Sequence, residues 1–165
     1  MDARNESERG NNGTQTQRVS DRELVVTRLF DAPARLVFEA WTKPELFRQW
    51  WMPKSCGIPF LACEIDARTG GTYRMEFGMP GSDQPMAFHG RYLEVVPGAR
   101  LVWTNEEGEG DGAVTTVTFE ETGGKTRVVL RDVYPSKEAL DEAIASGSTS
   151  GYPEQFTQLD EMLAA

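Results

Sequence analysis

Six strand-like runs follow one another between residues 58 and 133, at 58–66, 71–79, 86–96, 100–106, 113–121 and 125–133. Gly70-Gly71, Pro80-Gly81, Pro97-Gly98, a Gly/Glu-rich stretch at 107–112 and Gly123-Gly124 separate them. Connections this short join consecutive strands antiparallel, whereas parallel neighbours need a crossover of a dozen residues or more. The glycine pairs lead into strands. A phosphate-cradling loop would lead into a helix N-terminus, so the pairs read as hairpin turns.

Helical signals flank this meander. "ELVVTRLF" (23–30) is a further strand, and "DAP" (31–33) offers Asp31 as N-cap with Pro33 just inside a helix of about 33–41. Leu36, Val37, Ala40 and Trp41 repeat at helical spacing on it. A second short helix follows, capped by Thr42, with Pro44 in its first turn, Leu46, Phe47 and Trp50 as its apolar stripe, and Pro53 to stop it. Beyond the strands, 136–146 reads as a helix behind Ser136, with Leu140 and Ile144 as a packing face. "SGSTSG" then leads to a last helix carrying Phe156, Leu159 and Leu163. The expected fold class is α+β: a seven-stranded antiparallel sheet has one face to cover, and the terminal helix is the long element available to lie across it.

A chain of 165 residues buries about 70% of its unfolded surface, enough for one core. Residues 1–22 are polar, with four acids against four arginines. They read as a disordered tail ahead of a domain at 23–165. The net charge of −9 argues against nucleic acid and anionic membrane as partners. Cys56 and Cys63 match neither a redox pair nor a metal-ligand spacing, which points to reduced thiols and a cytoplasmic protein. No run of residues is long and apolar enough for a membrane span, and no signal peptide is read at the N-terminus. No cofactor or metal is expected. Glu106, Glu107, Glu109 and Asp111 match no calcium-loop spacing and read as a solvated loop.

Four segments, "FEAWTKPELFRQWWMP", "GGTYRMEF", "HGRYLEVVPGARLVWT" and "VTFEETGGKTRVVL", in this order and spacing, resemble the START-like (SRPBCC, birch-pollen-allergen-like) superfamily. Within it they are similar to the branch named after the C-terminal domain of the activator of the heat-shock chaperone ATPase. The resemblance covers about residues 23–165. It implies a helix-grip fold whose curved sheet and C-terminal helix enclose an apolar cavity of about 300–1,000 Å³, partly roofed by the two short helices. One departure is Gly151-Tyr152-Pro153, where the family often has Gly-Trp entering the last helix.

The cavity candidates are Trp50, Trp51, Tyr73, Met75, His89, Arg91, Trp103, Tyr152 and Phe156. Trp41 reads as core. Trp50 and Trp51 point about 100° apart on a helix, so they divide between wedging the roof and touching a ligand. His89 is the only histidine, which leaves no His-based metal site and no demonstrable triad. Regular alternation along 86–96 puts His89, Arg91, Leu93 and Val95 on one face and Phe88, Gly90, Tyr92 and Glu94 on the other. Apolar Leu93 and Val95 suggest that the first set faces inward. Arg74 raises the same question on the neighbouring strand, with a solvated face as its plain reading.

Three functions follow. The first, and the one adopted, is non-catalytic binding of a small apolar or amphipathic molecule, by a monomer or homodimer. The second is a chaperone or other protein partner, as the branch's name suggests. In the eukaryotic activator that role rests largely on a further N-terminal domain, for which the polar residues here leave no room. The third is a cyclase- or hydrolase-type enzyme with His89 as acid or base and Tyr73, Tyr92 or Arg91 assisting.

Overall fold

The computed structural model of the chain describes residues 13–78, 81, 83–106, 112–146 and 151–164. Eight strands form one antiparallel sheet: β1 (Gln15–Arg18), β2 (Glu23–Phe30), β3 (Phe60–Ile65), β4 (Thr72–Phe77), β5 (Met86–Val96), β6 (Arg100–Thr104), β7 (Val114–Thr122) and β8 (Lys125–Val133). Their spatial order is β1-β2-β8-β7-β6-β5-β4-β3. The meander therefore starts at the far edge with β3 and walks back until β8 pairs with β2, for instance Val26 opposite Leu130. Gly123 and Gly124 turn the β7–β8 hairpin with φ of 61° and 81°, a backbone that only glycine adopts without strain. The Pro80 turn, the acidic loop at 107–111 and the small residues at 147–150 lie outside the described residues.

The sheet has one strand more than the expected seven. Gln15–Arg18, read from sequence as tail, pair with β2 from Gln15 opposite Thr27 to Arg18 opposite Leu24. Their low apolar content predicts disorder. An edge strand draws instead on main-chain hydrogen bonds, and here Arg18 adds an ion pair with Asp141 at 2.7 Å.

The helices are α1 (Ala34–Thr42), α2 (Pro44–Trp50), α3 (Lys137–Ala145) and α4 (Tyr152–Ala164), with a single 3₁₀ turn at Lys54–Cys56. None among the described residues is long and apolar enough to cross a membrane. Neither Asp31 nor Thr42 caps a helix. Pro33 holds the N-cap position of α1, and the Ala34 amide donates at 2.8 Å to Glu121, from the far end of β7. Lys43 precedes α2, while the Thr42 hydroxyl donates back to the Phe38 carbonyl. Ser136 does cap α3, accepting from the Ala139 amide. Leu140 of α3 is fully buried, but Ile144 is 41% exposed and forms no part of that packing face.

Val26, Phe30, Leu101, Val117, Val128 and Leu130 on the inner sheet face meet Val37, Trp41, Phe47 and Trp50 of the roof and Phe156 and Leu159 of α4 in one core. Polar side chains pin α4 in place. Arg28, nearly buried on the inner face of β2, donates to the Phe156 carbonyl at 2.9 Å and lies 3.3 Å from Asp160. Gln158 donates to the carbonyls of Trp50 and Met52 and accepts from the Lys54 amide. Gln155 donates to the Trp51 carbonyl. The chain leaving α2 is thus held by the terminal helix, which satisfies backbone groups that a short helix leaves unpaired.

Candidate functional site

Where the sheet curves away from the roof, a cavity of about 260 Å³ remains. Trp41, Phe47 and Trp51 wall it from the roof, Tyr73, Met75 and Phe77 from β4, Phe88 and Tyr92 from β5, and Trp103 from β6. These positions alternate along their strands, so the sheet presents one aromatic face inward. The rings are fixed by edge contacts, such as Tyr73 with Tyr92 at 5.8 Å and Tyr92 with Trp103 at 6.4 Å between centroids. Trp51 stacks on Phe47 at 4.9 Å. Burial pushes the Tyr92 phenol up from its ordinary range and the neighbouring Cys63 thiol to about 11, so both stay neutral on this face. Both cysteines are free.

One wall is polar and ordered. The Tyr73 hydroxyl donates to the Thr104 carbonyl at 2.7 Å. Asn105 donates to the Ala113 carbonyl and to the Thr115 hydroxyl. Thr115 in turn donates to Asp132 at 2.6 Å, and the Tyr152 hydroxyl donates to the other oxygen of the same carboxylate at 2.8 Å. Asp132 is 4% exposed, and desolvation pushes its carboxyl up from the ordinary aspartate range against the pull of those two donors. It lines a second, more open cleft of about 480 Å³, which shares Trp51, Trp103, Asn105 and Tyr152 with the first cavity. Sequence reasoning missed Asp132. The available signal was its phase, because it follows Thr126, Val128 and Leu130 on the buried side of β8.

Of the nine candidates read from sequence, Trp51, Tyr73, Met75, Trp103 and Tyr152 line the cavity. Trp50 and Phe156 stand behind its wall, both fully buried. The Trp50 indole donates to the Ala40 carbonyl at 2.9 Å and meets the Trp41 ring at 4.5 Å, and Phe156 packs edge-on against Phe30 and Trp41. Trp41 is buried as expected, and it also contributes to the cavity wall.

His89 and Arg91 do not face inward. The inward residues of the first half of β5 are Phe88, Gly90 and Tyr92, while the Arg91 side chain is 61% exposed and pairs with Glu106 at 2.8 Å on the outer side. Leu93, a reason for the opposite reading, is 46% exposed. The register slips between Tyr92 and Glu94, and Val95 then faces Leu101 in the core. One extra residue at this bulge reverses the alternation, so Val95 points in while His89 and Arg91 point out. Arg74 also lies on the solvated side, half exposed, 3.8 Å from Glu76. Among the described residues no group of three or more His, Cys, Asp and Glu is placed to hold a metal.

A curved antiparallel sheet gripping a C-terminal helix, with a cavity between them roofed by two short helices, defines a START-like helix-grip domain. Residues 31–164 match the family model described as "Activator of Hsp90 ATPase homolog 1-like protein", and the chain belongs to that family. Among solved structures it resembles a protein from Rhodobacter sphaeroides at 25% identity and a TM-score of 0.82, over 92% of this chain and 97% of that one. It also resembles a Chromobacterium violaceum protein at 30% identity and a TM-score of 0.72, over 87% and 98%. A third likeness is to an AHSA1-like protein from Aeromonas hydrophila at 15% identity and a TM-score of 0.66, over 85% and 92%. No curated protein matches the chain.

Proposed function

We propose that this protein binds a small apolar or amphipathic molecule in the cavity between sheet and α4, without transforming it. The observation that carries this reading is the cavity itself: about 260 Å³ walled mainly by aromatic rings, with ordered polar groups on one side. Ligand sites have this composition, an apolar body with a few oriented polar groups. The volume, about 260 Å³, lies just below the range expected for such sites, so the ligand is compact. Catalysis by His89 loses its support with that side chain on the outer face. The free thiols of Cys56 and Cys63 support a cytoplasmic address.

Native mass spectrometry of the purified protein, with extraction of whatever co-purifies, tests this reading. The expected result is stoichiometric uptake of a compact apolar molecule that alters Trp51 and Trp103 fluorescence. Indifference to a broad apolar library would sink it. The family's description raises a second reading, action on a chaperone ATPase. Stoichiometric capture of that chaperone, with a raised ATPase rate, would put it first.

A further inference from the structure

We infer that the site takes a compact aromatic amine, whose ammonium group sits against Asp132 at the junction of the two cavities while its ring fills the inner one. This rests on the cavity-binding reading and adds the chemistry of the head group. The two spaces meet at Trp51, Trp103, Tyr152 and Asn105. Three of those four are aromatic rings, and a cation over such rings is attracted by their negative faces. Beside them, in the wall of the outer cleft and hydrogen-bonded to the Tyr152 hydroxyl, lies a buried carboxylate, Asp132.

Asp132 occupies an inward strand position of the kind that Leu130 and Val128 fill with hydrocarbon one and two alternations earlier. Burying a carboxylate there is costly unless charge or hydrogen bonds offset it. Thr115 and Tyr152 each donate one hydrogen bond, one to each oxygen. A carboxylate has about four acceptor sites, so acceptor capacity remains on both. No described lysine or arginine forms an ion pair with it; Arg28, the one buried arginine among the described residues, is committed to the Phe156 carbonyl and Asp160. Among the described residues, those lining the two cavities include two acids, Asp132 and Glu142, and no base. Within these two cavities a ligand carboxylate or phosphate would meet only like charge; Arg22 and Arg91 line a separate cleft beyond Asn105 and Tyr134. A ligand ammonium supplies the missing countercharge and donates to the free lone pairs.

The test is isothermal titration calorimetry at neutral pH with three probes of matched ring and length: 2-phenylethylamine, n-propylbenzene and 3-phenylpropanoate. The expected order is the amine tightest, by about tenfold or more over propylbenzene, as for a hydrogen bond to a charged group, with the carboxylate weakest. The isosteric Asp132→Asn should erase the preference for the amine while keeping propylbenzene binding. Propylbenzene bound as tightly as the amine overturns the inference but leaves the apolar cavity standing, whereas failure of all three overturns both. A preference that survives in Asp132→Asn overturns the assignment to Asp132. The probe series on the unmodified protein decides the head-group question even where the variant does not fold.

Discussion

Trp50 and Trp51 are adjacent in sequence and have opposite duties in the structure. Trp50 is fully buried, with its indole on the Ala40 carbonyl; Trp51 is half-buried and lines both cavities. Trp50→Ala should therefore cost about 3–5 kcal/mol, as for other large-to-small changes in a core, a large share of the roughly 5–15 kcal/mol that holds a domain folded. Trp51→Ala should cost less stability and remove most ligand uptake. Chemical denaturation of both variants beside a binding titration checks the split. Sequence alone could state that the two rings diverge, because helical geometry requires it. Which ring faced the cavity depended on where α4 and the sheet lay.

At the level of elements, β5 and α4 decide the shape of the site. Tyr73 stands opposite Gly90 across the β4–β5 ladder. A Cβ at Gly90 would lie 2.0 Å from the Thr104 carbonyl oxygen and 2.9 Å from the Tyr73 ring, so this glycine makes room for a close backbone approach. Gly90→Ala should destabilise by about 1–3 kcal/mol, the usual cost of overpacking. It should also displace the Tyr73 ring, readable as a fall in melting temperature and in ligand affinity. Gln158 offers the second check. Replacing it by Leu leaves the carbonyls of Trp50 and Met52 and the amide of Lys54 without their side-chain partner. A loss of at least about 1–3 kcal/mol is expected, with faster amide exchange confined at first to residues 50–54.

For the whole molecule, the buried acid makes stability depend on pH in a particular direction. Folded Asp132 holds its proton to a higher pH than an unfolded aspartate, whose ordinary value is 3.8. Between that value and the raised folded one, the native state binds more protons than the unfolded state. The contribution of Asp132 to stability therefore falls as pH rises through this window. Glu106, Asp141 and Glu154 are shifted down by their hydrogen-bond donors and act in the opposite sense. They are common to wild type and Asp132→Asn and cancel in the difference. Melting curves of the two proteins from about pH 3 to about pH 8 should show the variant gaining on wild type as pH rises; a constant difference would sink the prediction. A ligand bearing an ammonium group should reduce that gain.

The sequence by itself determined the meander, the two short proline-bounded helices and the terminal helix, because turn chemistry and apolar periodicity are local. It also offered Tyr73, Met75 and Trp103 as cavity candidates, and strand alternation put Tyr73 and Met75 on one face; the cavity lining joins Trp103 to them. The tertiary structure decided what depends on distant partners. Gln15–Arg18 became a strand by pairing with β2, and the α1 amide found Glu121 at the end of β7. A single-residue bulge on β5 turned His89 and Arg91 outward, a change that composition and alternation do not encode. Asp132 gained its place only when Thr115 and Tyr152 were brought to either side of it. Local rules fix most of the elements, while an edge strand such as β1, the enclosure of a cavity, and the charge buried beside it arise from contacts between residues far apart in the chain.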